Sequence, residues 1–262
     1  MEVKQVFPLF EEGRILKRDA LDCIRDYAPD FCSLLFQDYG SGVVAGFQIG
    51  GVGTEITVSP GILKHGLEFF CMKEAVTLQY NLFGQTVMVI LKKRGGMSTA
   101  DFRTDYYELS LEPVRALQAE EYELGRFLLE QGARLRTYED YKDFHDLVTG
   151  FNTLNPIHIR FACEGGSTLA PFILRLYGKG VLHSAKAQPL DLSFGVACLN
   201  SRVVSAELIR QYLSVQEPGR DEGQSNLHLY QRLDRLYTRL VSGGEARHRS
   251  GGISGRGKTL ID

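Results

Sequence analysis

Between Phe31 and Lys93 six short apolar or alternating runs follow one another, most of them parted by glycine-bearing turns, and no other feature of the chain limits its fold as much. The runs are Phe31–Phe36, Val43–Ile49, Glu55–Val58, Leu67–Met72, Ala75–Leu78 and Val87–Lys93. Each fits a strand better than a helix of ordinary length. The turn material is Gly40-Ser41-Gly42, Gly50-Gly51-Val52-Gly53, Pro60-Gly61 and His65-Gly66, with Gly95-Gly96 after the last run. Short strands at such spacing predict an antiparallel sandwich or barrel. A helix over Lys17–Tyr27 precedes them, with Ala20, Leu21 and Ile24 on one face and Pro29 ending it. Tyr122–Leu129 reads as a further strand, because Gly125 weakens a helix and Gln131-Gly132 suits a hairpin turn into Ala133–Arg136. A helix there is the alternative.

After Leu135 the period changes. Tyr138–Phe144 is a short helix candidate. Ser167 or Thr168 can cap a helix through Leu169, Phe172, Ile173 and Leu176, with Pro171 in its first turn and Gly178 closing it. Ser205 caps another, through Leu208, Ile209, Tyr212 and Leu213, and a last one carries Leu229, Leu233, Leu236, Tyr237 and Leu240 up to Gly243-Gly244. Pro156–Ala162 and Asp191–Cys198 read as strands or extended connectors. The expected class is α+β: an antiparallel β-rich module over 1–136, sandwich- or barrel-like, then a mainly helical module over 137–242, then a flexible basic tail over 243–262.

A length of 262 residues holds one large domain or two small ones. The formal net charge of −2 gives no whole-molecule field for nucleic acid. Five scattered cysteines, Cys23, Cys32, Cys71, Cys163 and Cys198, show no C-x-x-C spacing, and the first residues do not read as a signal peptide. Free thiols in the cytoplasm are expected, Cys163 and Cys198 in the core. No apolar run approaches the ~20 residues that span a bilayer, so no membrane insertion is expected.

The string Gly252-Ile253-Ser254-Gly255-Arg256-Gly257-Lys258-Thr259 satisfies the G-x-x-x-x-G-K-[ST] pattern of a phosphate-binding loop. Such a loop works when a buried strand delivers the glycines and a helix starts at Lys-Ser/Thr. Here a polar, glycine-rich stretch precedes it, and only Leu260, Ile261 and Asp262 follow, short of a helical nucleus. A nucleotide site is therefore not expected, and a nucleotide hydrolase is the weakest reading. Arg247, Arg249, Arg256 and Lys258 against Glu245 and Asp262 leave this tail at +2, which permits non-specific nucleic-acid contact as an alternative to a solvated terminus or an arm docked on a neighbour.

No other pattern carries chemistry. His65, His145, His158, His183, His228 and His248 stand singly, without metal-ligand spacing. Nucleophile elbows are absent. The acidic groups Glu120-Glu121 with Glu123, and Glu139-Asp140 with Asp143 and Asp146, read as solvated turn or helix faces rather than a carboxylate pair around one sugar. Tyr106 with Tyr107 and Tyr138 with Tyr141 lack an interleaved basic stripe and read as packing or interface groups.

One resemblance spans about half the chain, through residue 136. Phe10-Glu11-Glu12-Gly13-Arg14-Ile15-Leu16-Lys17 leads into Arg25-Asp26-Tyr27, then into Gln37-Asp38-Tyr39-Gly40-Ser41-Gly42-Val43-Val44-Ala45-Gly46-Phe47 and Val58-Ser59-Pro60-Gly61-Ile62-Leu63-Lys64-His65-Gly66. Glu123-Leu124-Gly125-Arg126-Phe127 and Gln131-Gly132-Ala133 follow later. This arrangement resembles tail-fibre and baseplate-associated proteins of contractile phages and phage-like injection systems, type VI-like secretion included. The resemblance implies a structural subunit with protein partners, a homo-oligomer, and no catalytic, cofactor-binding or metal-binding residue. On that reading Gly42, Gly46, Gly61 and Gly66 allow left-handed backbone or close approach, and Pro60-Gly61 forms the centre of a type II turn with Gly61 left-handed.

Overall fold

A computed structural model describes residues 2–219 and 223–241. The tail 243–262, and with it the phosphate-loop string and His248, lies outside the described residues.

The chain opens with an extended arm and helix α1 (Arg18–Leu35). Strands β1 (Gly42–Gly46), β2 (Ile49–Val52), β3 (Glu55–Val58), β4 (Gly61–His65), β5 (Glu68–Met72) and β6 (Val76–Gln79) follow at short intervals. Two longer strands, β7 (Val87–Ser98) and β8 (Arg103–Pro113), precede β9 (Glu121–Phe127). A 3-10 turn at Phe144–Val148 and the small hairpin β10 (Phe161–Cys163) and β11 (Gly166–Thr168) come next. Helices α2 (Pro171–Leu182), α3 (Pro189–Asn200), α4 (Ala206–Gln216) and α5 (Asn226–Val241) complete the described chain. The class is α+β, β-rich first and helical after.

The strands form three sheets, ordered β11-β10-β1-β4-β5, β2-β3-β6 and β8-β7-β9. No closed barrel forms among the described residues. All pairings between these strands are antiparallel except β1 with β10, in register at Val43 and Phe161. Buried side chains gather in two clusters. One lies among the sheets, around Phe47, Ile56, Leu63, Val89 and Leu124. The other lies among the helices and the 3-10 turn, around Phe144, Tyr177, Ile209 and Leu233. Tyr138 and Phe161 pack against both.

Several local expectations are corrected. The helix does not end at Pro29; it runs to Leu35 and absorbs the expected strand Phe31–Phe36. Proline removes one helical hydrogen bond, to the Arg25 carbonyl, but Arg25 and Pro29 are both exposed, so no buried orphan results. The run Val43–Ile49 is two strands, broken where Gly46 (φ 73°) and Phe47 (φ 54°) are both left-handed. Gly50, Gly51 and Val52 lie in β2 rather than a turn, and Gly95-Gly96 lie inside β7 at a register shift rather than after it. Tyr122–Leu129 does hold a strand, and a turn closes at Gln131-Gly132 with the Ala133 amide on the Glu130 carbonyl (3.1 Å). Ala133–Arg136 returns as extended chain, with only an isolated bridge from Arg136 to Thr153.

In the second half Tyr138–Phe144 is not helical; the single turn starts at Phe144, where Asp143 accepts from the amides of His145 (2.8 Å) and Asp146 (3.3 Å). Ser167 and Thr168 lie in β11, so α2 starts at Pro171 without a side-chain cap and passes through Gly178. That glycine serves close packing instead: a Cβ there would stand 2.7 Å from the Gly195 carbonyl of α3. Asp191–Cys198 is helical, the core of α3, started by the Gln188 amide on the Asp191 carboxylate (2.8 Å). Ser205 caps α4 as expected, its hydroxyl accepting from the Leu208 amide (3.1 Å).

Gly61 is not left-handed; it opens β4, and a Cβ built on it would meet the Phe47 ring at 2.5 Å and the Phe47 amide at 2.7 Å. The left-handed member of this corner is Gly46. Gly61→Val is accordingly expected to destabilise the fold by more than ~1 kcal/mol through overpacking against Phe47. An unchanged urea midpoint for the variant is the contrary result.

Candidate assembly surface

Among the described residues, the arm and α1 carry a long run of exposed apolar side chains. Within α1, Ala20, Ile24, Tyr27, Phe31 and Leu34 recur at spacings of four and three, with Leu21 and Leu35 beside them. At 100° per residue these side chains fill an arc of roughly 140°, the face by which a helix joins a bundle. Yet α1 has no buried residue: Ile24 is 52% exposed, Phe31 55% and Leu34 71%. The charged side chains lie on the opposite face and satisfy one another, Arg25 binding Asp22 (2.8 Å) and Asp26 (2.6 Å), and Arg18 approaching Asp22 (3.6 Å). The helix is held to the body mainly near its end, where Phe36 meets Phe69 (centroids 5.7 Å apart). Beside it, Val6, Phe7, Leu9 and Phe10 of the arm are also exposed.

A second projecting element is the β7–β8 hairpin. β9 pairs with β7 only as far as Lys92, while β8 continues to Ser98, so the outer part of the hairpin stands beyond the sheet. Its tip exposes Met97, Phe102 and Tyr106. Glu68 of β5 ties the hairpin back to the sheets, accepting from Lys93 midway along it (2.5 Å) and from Arg103 near its tip (2.7 Å). Those two hydrogen bonds, the Lys93 one first, lower the Glu68 carboxyl to about 2.

Among the described residues, several of the singly placed histidines and clustered acids are engaged in structure. His65 Nδ1 meets the Tyr122 hydroxyl (2.7 Å), His145 Nδ1 meets Asp234 (2.9 Å), and burial lowers the pKa of His158. Cys163 and Cys198 are buried, and burial raises both thiols, Cys198 to about 12, so neither is a ready thiolate. Glu123 is bound by Arg126 (2.5 and 2.8 Å), Asp140 by Arg134 (2.9 Å) and Asp146 by Arg136 (3.1 Å). Tyr107 stacks on Phe70 (3.9 Å), while Tyr138 and Tyr141 pack around Phe172. Among the described residues no group of three or more His, Cys, Asp or Glu is placed to hold a metal. No described helix is long and apolar enough to cross a membrane.

Glu121 illustrates how these acids act. Buried beside β7, it receives a two-pronged Arg115 (2.6 and 2.8 Å) and the Gln118 amide (2.9 Å). The Arg115 hydrogen bonds lead in lowering its carboxyl from an ordinary 4.5 to about 2, against the opposing effect of burial. A depressed carboxyl stabilises the fold fully above its unfolded value and loses that contribution as pH falls through the folded one. Stability carried by Glu121, on the order of 2 kcal/mol, is thus expected to vanish between pH 4.5 and about 2. Urea midpoints across that window should fall less steeply in Glu121→Gln than in the parent; parallel slopes contradict the assignment.

The full apolar stripe of α1 escapes the sequence reading because Pro29 divides the segment into a helix and a strand. The four-three spacing that crosses Pro29 is the signal that could have revealed it.

Solved chains that align with this one include the following three. A chain of the TssK–TssF–TssG baseplate subcomplex of the type VI secretion system aligns with 92% of this chain and 100% of its own length, at 10% identity and TM-score 0.42. A crystal structure of TssK aligns over 90% of this chain and 69% of its own, at 12% identity and TM-score 0.39. A chain of the type VI secretion baseplate complex aligns over 91% and 100%, at 10% identity and TM-score 0.35. No protein-family model and no curated protein matches the chain. At 10–12% identity no residue role is carried over from these structures.

Proposed function

We propose that this chain is a non-enzymatic structural subunit of a contractile tail or injection-system baseplate, acting through protein–protein assembly and associating with copies of itself through α1. The uncovered apolar face of α1 is the observation that carries the reading. A helix of 18 residues with no buried side chain gains almost nothing from its own fold and needs a partner to cover its apolar stripe. Spacing of four and three over two heptads is the geometry by which identical helices interlock. Six large side chains about half exposed offer on the order of 600 Å² per copy, so two copies of the helix together bury about 1,200 Å², the lower end of the range for specific interfaces. The kind of assembly is supported by the resemblance of about half the chain, through residue 136, to tail-fibre and baseplate-associated proteins. All five thiols are free, which fits folding in a reducing cytoplasm. No catalytic, cofactor or metal role is assigned to any residue.

Light scattering on the size-fractionated full chain, with co-purification against sheath and tube proteins, tests this. A mass that is a multiple of the chain mass, with those proteins retained, is expected. A monomer that retains none of them overturns the reading.

A further inference from the structure

At one end of the helical cluster, α2, α5 and the loop at Lys142 enclose an open hollow of about 510 Å³. Its floor is apolar, formed by Leu176, Tyr237 and Leu240. Around the rim stand Lys142, Lys179 and Lys186, and among the described residues none of the three makes an ion pair. The acidic side chain beside them, Asp143, turns its Oδ1 to the amides of His145 and Asp146 and forms no ion pair with the three lysines. An apolar floor under three free ammonium groups selects a ligand that carries large apolar side chains next to carboxylates. A nucleic-acid strand would satisfy the lysines and leave the floor uncovered.

The arm of this same protein has that composition. Val6, Phe7, Leu9 and Phe10 are 59–74% exposed and run directly into Glu11 and Glu12. Between Gln5 and Gly13 there are two acidic residues and no basic one. Glu11 binds Arg14 at an exposed site (2.6 Å), a pair that exchanges at little cost. In its own chain the arm lies along α1, where the Cys23 thiol approaches the Val6 carbonyl (3.6 Å).

We infer that the arm of a second copy docks in this hollow, Leu9 and Phe10 on the floor and Glu11 and Glu12 among the lysines. The contact joins two different patches and is therefore head-to-tail, closing a ring or extending a chain of subunits. It rests on the assembly reading above but uses a surface separate from the α1 seam.

The test is fluorescence anisotropy of a labelled peptide of residues 5–13, QVFPLFEEG, titrated with the full chain. Saturable binding is expected. It should weaken at least about tenfold against Lys179→Glu/Lys186→Glu and return when the peptide carries Glu11→Lys/Glu12→Lys. All four positions are exposed, so thermal melts should confirm an intact fold. No saturation below about 1 mM overturns the inference, as does indifference to the charge reversal. So does a single-stranded oligonucleotide that binds through these lysines and is not displaced by the peptide. Substituting Ile24 and Phe31 leaves this titration unchanged, so failure here is distinguishable from failure of the α1 seam.

Discussion

If copies pair through α1 as proposed, replacing Ile24 and Phe31 together by aspartate is expected to leave the protein monomeric, with the melting temperature of the monomer unchanged. Both side chains lie on the stripe of α1, about half exposed, and touch no core cluster. Burying each against a neighbouring helix is worth about 1.5–3 kcal/mol. An aspartate in its place forfeits that gain and opposes burial of its own charge. A combined loss above ~4 kcal/mol raises the dissociation constant roughly a thousandfold. Dilution series in sedimentation or light scattering read the shift directly. A variant that associates as strongly as the parent shows that α1 is not the seam. A variant that unfolds shows instead that α1 is part of the monomer's core.

Gly46→Val is expected to be the most damaging single glycine substitution in the sheet region. Gly46 is left-handed at φ 73°, a conformation that costs an L-residue about 1–2 kcal/mol and a β-branched one more. A Cβ there would also fall inside the van der Waals envelope of the Pro60 carbonyl oxygen, with the Gly61 Cα 2.6 Å away, and backbone on that side cannot rotate aside. The corner joins β1 to β2 and seats Phe47 in the core, so relief of the clash would disturb both sheets. We expect at least ~3 kcal/mol of destabilisation, which for a chain of this size lowers Tm by about 6–12 °C. Gly66→Ala is the informative contrast. Gly66 is also left-handed (φ 59°) but has open space where its Cβ would stand, so ~1 kcal/mol is expected. Equal losses at the two positions would mean that backbone conformation, not crowding, sets the cost at Gly46.

The legible parts of the fold are those where local chemistry and pattern agree. Glu55–Val58 alternates and is bounded by turns, and it forms β3 with Ile56 and Val58 fully buried. Ser205 is a good helix cap ahead of a period-3.6 run, and α4 starts there. Leu229, Leu233, Leu236 and Tyr237 line one face of α5 and are buried as expected. The misread parts lie where a local signal was answered from a distance. α3 presents apolar residues all round, Leu190, Leu192 and Val196 outward and Phe194 and Cys198 inward, so no helical stripe stands out. The helix is set by its packing on α2 at Gly178 and by Asp191, which accepts from Tyr212 (2.7 Å) and Gln216 (2.7 Å).

Alternation, helical period and turn residues by themselves determined that a β-rich half precedes a helical half, and that the histidines and acids form no spaced catalytic motif. These are local preferences worth tenths of a kcal/mol per residue, and they accumulate along a run. Only the tertiary structure decided that α1 passes through Pro29, that β10 lies parallel to β1, that Gly61 makes room for Phe47, and that the apolar face of α1 stays uncovered. Each depends on residues far apart in the chain, where one buried ring or one backbone clash outweighs any local preference by a kcal/mol or more.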